Sequence, residues 1–360
     1  MEKASWHALI IKALAAIFLA ALVWELVLSV TLLRRPDVVR DGPYGTAYAP
    51  GGLMLVGTEG YAWNRFDSLG FNNSEESLNA PDSPIVVLGD SFTEALQLPR
   101  ERNFCSLVEA ETGVPVINLG FSGNSAADWL MNAEAVRDDF DPGVVVIVFT
   151  NSDFLDDATE DSKAVYIAPT QDGFKLVKTE GSGRRLRVLK DRAISLSSLM
   201  GRSYLRMREL SAAPPGKRPF FSARPVFSWR AEGDAVGPVQ SVPLTELTAD
   251  QKRLVRWELS EFRRIFGDRL RLLYVDRAHS LTSMGVVQRQ PGPLTQELDS
   301  LCEEFQIPLA TTQAGFTEYF EKTGQLPYGF QNYIPGLGHL NHQGHRLVAE
   351  ALVELLSNDR

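Results

Sequence analysis

Three short apolar runs constrain this chain more than anything else in it. Ile85–Leu88, Val114–Leu119 and Val144–Phe149 are rich in β-branched residues and recur at intervals of about thirty residues, the spacing of βαβ units. Helix-like stretches around Phe104–Glu111 and Ala126–Asp138 separate them. Apolar strands joined through helices imply a parallel sheet covered on both faces. The rhythm resumes further on, with a helix over Thr248–Phe266, a strand over Leu270–Val275, a helix over Pro293–Phe305 with proline at its start, and a short strand over Ile307–Thr311. A loop from Gly338 then runs into an amphipathic helix over Arg346–Leu356. The expected class is α/β, a three-layer α/β/α domain with a parallel sheet of about five strands.

The first run ends in Gly89-Asp90-Ser91-Phe92-Thr93, at the carboxyl end of a strand, where open α/β sheets place their ligands. A serine there can simply cap the next helix. Its company argues for more: Gly120-Phe121-Ser122-Gly123 follows the second strand, Thr150-Asn151-Ser152-Asp153 the third, and His339 precedes the last helix. A serine hydroxyl is a weak nucleophile until an imidazole takes its proton, and a tetrahedral intermediate needs donors aimed at its negative oxygen. No G-x-S-x-G elbow is present, which argues against the ordinary α/β-hydrolase arrangement.

The order and wording of these four blocks resemble the GDSL or SGNH hydrolase family. The resemblance is carried by Val87-Leu-Gly-Asp-Ser-Phe-Thr93, by Val116-Ile-Asn-Leu-Gly-Phe-Ser-Gly123, and by His339-Leu-Asn-His-Gln-Gly-His345 with the Arg-Leu-Val-Ala-Glu after it. It covers about 84–157 and 326–356, and implies a parallel sheet in flavodoxin-like order. It also implies Ser91 as nucleophile, His339 as base and Gly123 in the oxyanion hole. The chain departs from the family pattern twice. The third block usually reads Asn-Asp, and aligning Asp153 with that Asp puts Ser152 at the asparagine position, so either Asn151 or Ser152 serves. The acid that orients the histidine normally sits two or three residues before it, where this chain has Leu337 and Gly336. The histidine then relies on a backbone carbonyl or on an acid from elsewhere, Asp153 being one candidate. No cofactor is implied. His339, His342 and His345 invite a metal reading, but spacing of three and three spreads the outer pair around a helix and no carboxylate cluster accompanies them.

Outside these blocks, Ala13–Leu33 is an apolar run of 21 residues broken only by Glu25, Ser29 and Thr31, long enough to cross a bilayer. It continues through Trp24 into Arg34-Arg35 without a small-residue cleavage site, so residues 1–35 read as a single-pass anchor. Basic residues on the two sides nearly balance, leaving orientation open, although an extracytoplasmic domain suits the family. Residues 36–83, rich in Gly, Pro, Asn, Asp and Ser, read as a tether and irregular lead-in, and 84–360 as the hydrolase-like domain.

An insertion at about 161–247 interrupts the rhythm. Within 182–230 twelve Lys or Arg face only Asp191 and Glu209, a net of +10 in a chain whose total is −9. Apolar residues from Leu189 to Met207 recur at helical spacing there, giving a helix with a basic face that is either solvated or meets anionic lipid or an acidic glycan. The acidic total and the lack of a recognition motif exclude nucleic acid as a partner. Two cysteines nearly 200 residues apart suggest neither a disulfide framework nor a thiol site. The expected function is ester hydrolysis on an acylated carbohydrate, with acetyl groups of a cell-envelope or exported polysaccharide as substrate. An O-acetyltransferase using the same acyl-enzyme and a non-catalytic glycan-binding protein on a decayed site are the alternatives.

Overall fold

Alternation within the strands decides which side chain faces which layer. The computed structural model describes residues 2–31, 37–57, 59–80, 83–150, 153–154, 165–171, 173–178, 247–282, 285–288, 293–333 and 336–357. Five parallel strands form its central sheet: β1 (Ile85–Gly89), β2 (Val116–Asn118), β3 (Val144–Phe149), β4 (Leu270–Tyr274) and β5 (Leu309–Thr311). Their order across the sheet is β5-β4-β3-β1-β2, the flavodoxin-like order. Register is set by pairs such as Val86↔Val145, Val86↔Ile117 and Leu272↔Ile147.

Helices among the described residues that accompany the sheet strands are α1 (Ser91–Glu94), α2 (Phe104–Thr112), α3 (Ala126–Phe140), α4 (Ala249–Phe266), α5 (Pro293–Phe305), α6 (Gln313–Thr323) and α7 (His342–Ser357). Val86, Leu88, Ile117, Val145, Ile147, Leu270 and Leu272 pack with α3, α4 and α5 on one face of the sheet. Their neighbours Ile85, Val87, Val116, Val146, Val148 and Leu273 pack with α2, α6 and α7 on the other. Each fully buried aliphatic side chain contributes about 1.5–3 kcal/mol, so the period-2 split holds both helical layers to one sheet. The C-terminal helix starts four residues before the expected Arg346, because Asn341 Oδ1 accepts from Gln343 N–H at 3.0 Å and Gly344 N–H at 3.1 Å and caps it.

The described residues divide into two units, 2–31 with Asp37 and Leu53–Leu55 in one, and the remainder in the other. In the first unit, one 30-residue helix, Glu2–Thr31, carries an apolar stretch, Trp6–Val27, none of which is buried. By length and composition it fits a single-pass anchor or a signal sequence.

In the second unit the lead-in departs from the expected tether. It pairs Val38–Gly42 with Gly45–Tyr48 and then packs a buried polar ladder onto the sheet's edge. Asn118 on the edge strand β2 donates its N–H to Asn73 Oδ1 at 2.7 Å, and Asn73 Nδ2 donates back to the Asn118 carbonyl at 3.0 Å. One side-chain amide thereby replaces a neighbouring strand. Asn73 Nδ2 also donates to Asp67 Oδ2 at 2.8 Å, while Asn72 and Asn64 donate to the carbonyls of Glu94 and Leu96 at 2.9 and 3.0 Å. Short polar side chains that read as loop composition here satisfy backbone groups that burial would otherwise strand.

The insertion begins with an antiparallel hairpin, Val165–Thr170 with Gly173–Lys178, whose Val165 and Ile167 join the α3-α4-α5 core. The basic stretch 182–230 lies outside the described residues.

Candidate active site

Strand β1 ends against its neighbours so closely that a Cβ on Gly89 would lie 2.0 Å from Thr93 Oγ1 and 2.9 Å from the Val148 carbonyl. The chain turns there into the single turn α1. Asp90, not Ser91, caps that turn, its Oδ1 accepting from Phe92 N–H at 2.8 Å. This removes the capping explanation for Ser91, which stands half-buried as the turn's first residue. Burial raises the Asp90 pKa, against the hydrogen bond from Phe92 and the nearby His339 imidazole, which lower it.

Gly123 sits in a tight turn pressed onto α1. Phe121 N–H donates to the Gly89 carbonyl at 3.2 Å, and the Ser122 hydroxyl donates to the Glu94 carboxylate. Gly123 itself has φ +87 with open space where a Cβ would stand, so its backbone conformation is what requires glycine.

His339 approaches from the loop before α7, and the ring of Phe92, the residue after Ser91, lies 5.4 Å from its imidazole. The acid absent from positions 336 and 337 is supplied by Glu59, from the lead-in 280 residues upstream. Its Oε1 accepts from the His339 backbone N–H at 2.5 Å, and its Oε2 lies 2.7 Å from Nδ1. With a carboxylate there the proton belongs on Nδ1, leaving the Nε2 lone pair available as a base. Gly338 makes the approach possible, since a Cβ at its φ of +95 would fall 2.0 Å from Glu59 Oε1. From the other side Arg277 Nη2 donates to the Gly338 carbonyl at 2.7 Å, its guanidinium lying 5.3 Å from the Phe92 ring centre and 5.4 Å from that of Tyr328.

Asp153, the acid expected as one candidate partner of the histidine, makes hydrogen bonds to Thr150. Its Oδ2 accepts from Thr150 N–H at 2.6 Å and from the Thr150 hydroxyl at 3.0 Å, closing the end of β3, while Glu59 occupies the partner position at His339. Asn151 and Ser152 lie outside the described residues. The only sequence signal for Glu59 is a carboxylate beside glycine in Gly57-Thr58-Glu59-Gly60, too weak to connect it with a histidine so distant.

His345 takes no part in this cluster. It is buried under Phe104, ring centres 5.8 Å apart, and its Nδ1 accepts from Phe104 N–H at 3.3 Å. Burial, then the charges of His339 and His342, lower its pKa to about 3. Since the unfolded chain binds a proton near pH 6.5 and the folded one only near 3, stability present above pH 6.5 falls as pH drops through that window, by on the order of 4 kcal/mol. Urea unfolding across pH 3–7 is expected to show this slope, and His345→Asn, which keeps an acceptor but does not titrate, is expected to flatten it. Among the described residues no three His, Cys, Asp or Glu side chains gather as a metal requires. Both cysteines are free and buried, and burial pushes both thiols up, Cys302 to about 12.

No family model and no curated protein sequence matches the chain. Among solved structures it is similar to a member of the lipolytic protein G-D-S-L family from Veillonella parvula, at 12% identity over 76% of this chain and 98% of that one, TM-score 0.36. It is also similar to the psychrotrophic esterase EstA from Pseudoalteromonas sp., at 11% identity over 77% and 98%, TM-score 0.35. A third is LAE5, an alpha/beta hydrolase enzyme from the metagenome of Lake Arreo, at 12% identity over 77% and 96%, TM-score 0.38. Likenesses this distant carry no argument about residues or reaction, which rest on the geometry above.

Proposed function

We propose that the chain is a serine ester hydrolase of the SGNH type. The observation that carries this reading is the Glu59–His339 pair beside the Ser91 turn. Ser91 Oγ attacks an acyl carbonyl as its proton passes to His339 Nε2, and Glu59 stabilises the imidazolium that forms. The backbone N–H groups of Ser91 and Gly123, with Asn151 or Ser152, hold the oxyanion. His339 then returns the proton to the leaving alcohol, and water releases the acyl group by the same steps in reverse. Glu59 also removes one of the two motives for a decayed, non-catalytic site, the missing acid at Gly336.

The substrate we favour is an acetylated polysaccharide. Outside the N-terminal helix six large apolar residues are exposed among the described residues, and four of them, Tyr61, Trp63, Tyr333 and Leu337, lie within six positions of Glu59 or His339. Three are aromatic, which suits the flat apolar face of a pyranose ring better than a long acyl chain. The N-terminal helix, read as an anchor, keeps this activity at a membrane.

A fluorophosphonate probe on the full-length chain tests the reaction class. Labelling is expected on the peptide containing Ser91 and on no other, and to vanish in Ser91→Ala. A folded wild-type chain that takes no label, or takes it elsewhere, overturns the reading.

A further inference from the structure

We propose that Asn332 is a positioning residue of this site, holding Glu59 against His339 without touching substrate; the proposal rests on the reading of Ser91, His339 and Glu59 above. Glu59 and Gly60 form a bend, and Gly60 is pressed into the protein. Gly60 is buried at φ +71, and a Cβ there would lie 2.2 Å from the Gln97 carbonyl. The exposed side is closed by a single amide. Gly60 N–H donates to Asn332 Oδ1 at 2.9 Å, while Asn332 Nδ2 donates to the Gly60 carbonyl at 2.6 Å and the Gly57 carbonyl at 3.2 Å. Asn332 therefore uses its acceptor and its donors on backbone groups of Gly57 and Gly60, on either side of Glu59.

The same loop carries the base. Tyr328 and Leu340 form an antiparallel bridge, and Gly329 N–H donates to the His339 carbonyl at 2.8 Å, so the loop closes at His339 while Asn332 lies within it. One closed loop thus fixes both partners of the Glu59–His339 pair, although they are 280 residues apart. Neither alanine nor aspartate can perform Asn332's task. Alanine loses all three hydrogen bonds, and aspartate keeps the acceptor but sets a carboxylate oxygen against two carbonyls.

The test is a mutant cycle on the full-length chain in detergent with p-nitrophenyl acetate, comparing wild type, Asn332→Ala, Glu59→Gln and the double variant. A displaced orienting acid costs transition-state stabilisation rather than binding, so Asn332→Ala is expected to lower kcat about 10–100-fold with KM unchanged. In the Glu59→Gln background the same change is expected to cost less than about twofold, because the group it positions is already compromised. A second arm needs no turnover: the downfield proton of His339 Nδ1–H, assigned by its loss in His339→Gln, is expected in wild type and lost in Asn332→Ala. Asn332→Ala kinetics and spectrum like wild type, or losses that simply multiply with Glu59→Gln, overturn the positioning role. A wild-type chain without Ser91-dependent turnover overturns the reaction reading separately, and the His339 signal still decides the role of Asn332.

Discussion

Glu59→Gln is expected to lower kcat/KM for p-nitrophenyl acetate by about 10²–10⁴-fold with little change in KM, the scale seen when an orienting acid becomes an amide. The reason is a count of acceptors. Glu59 serves two donors at once, the His339 backbone N–H through Oε1 and Nδ1–H through Oε2. Glutamine offers one oxygen and one NH₂. If the oxygen keeps the backbone N–H, the NH₂ faces Nδ1 and forces the ring proton onto Nε2, where it blocks proton transfer from Ser91. If the oxygen keeps Nδ1–H, the NH₂ confronts the backbone N–H and the loop must move. Steady-state kinetics with circular dichroism as a fold control decide the matter. A variant within threefold of wild type, alongside an inactive Ser91→Ala, would mean that His339 works without Glu59.

Asn73→Ala is expected to cost about 3–6 kcal/mol of unfolding free energy, much of the 5–15 kcal/mol that holds a typical domain folded. The substitution deletes one side chain but leaves three buried groups without it: the N–H and carbonyl of Asn118 and Oδ2 of Asp67. Each unsatisfied group costs about 1–3 kcal/mol. Because Asn118 in turn donates to the Thr93 carbonyl at 2.6 Å and accepts from Gly120 N–H at 2.8 Å, the loss reaches the Ser91 turn and the Gly123 loop together. Urea unfolding of the full-length chain measures the cost. A loss under about 1 kcal/mol would show that the sheet edge does not depend on this amide.

The two substitutions also mark where the sequence stops being informative. Strand β3 and helices α4 and α5 were legible within a residue or so because their apolar periodicity is strong and local. The candidate nucleophile, glycine and histidine are implied by a resemblance in the wording of three short blocks, 87–93, 116–123 and 339–345, each beside a strand end or a helix start. Helix α6 was not read, and neither were the hairpins, the shortest of which span four residues a strand.

Composition alone does not reveal the burial of polar residues in 36–83. Asn64, Asp67, Asn72 and Asn73 are the residues of a solvated loop by composition, and they are buried here because each hydrogen-bonds backbone that would otherwise lie unpaired at a sheet edge or turn. Composition reports affinity for water and cannot tell water from a backbone that replaces it.

By itself the sequence determined the α/β class, the parallel sheet and the apolar N-terminal helix, since each depends on a pattern within a few tens of residues. Only the tertiary structure decided that Asp90 caps the turn, that Asp153 closes the end of β3, and that the acid facing His339 is Glu59. A carboxylate–imidazole hydrogen bond depends on distance in space, and a chain that returns to its own beginning leaves no local periodicity to announce it.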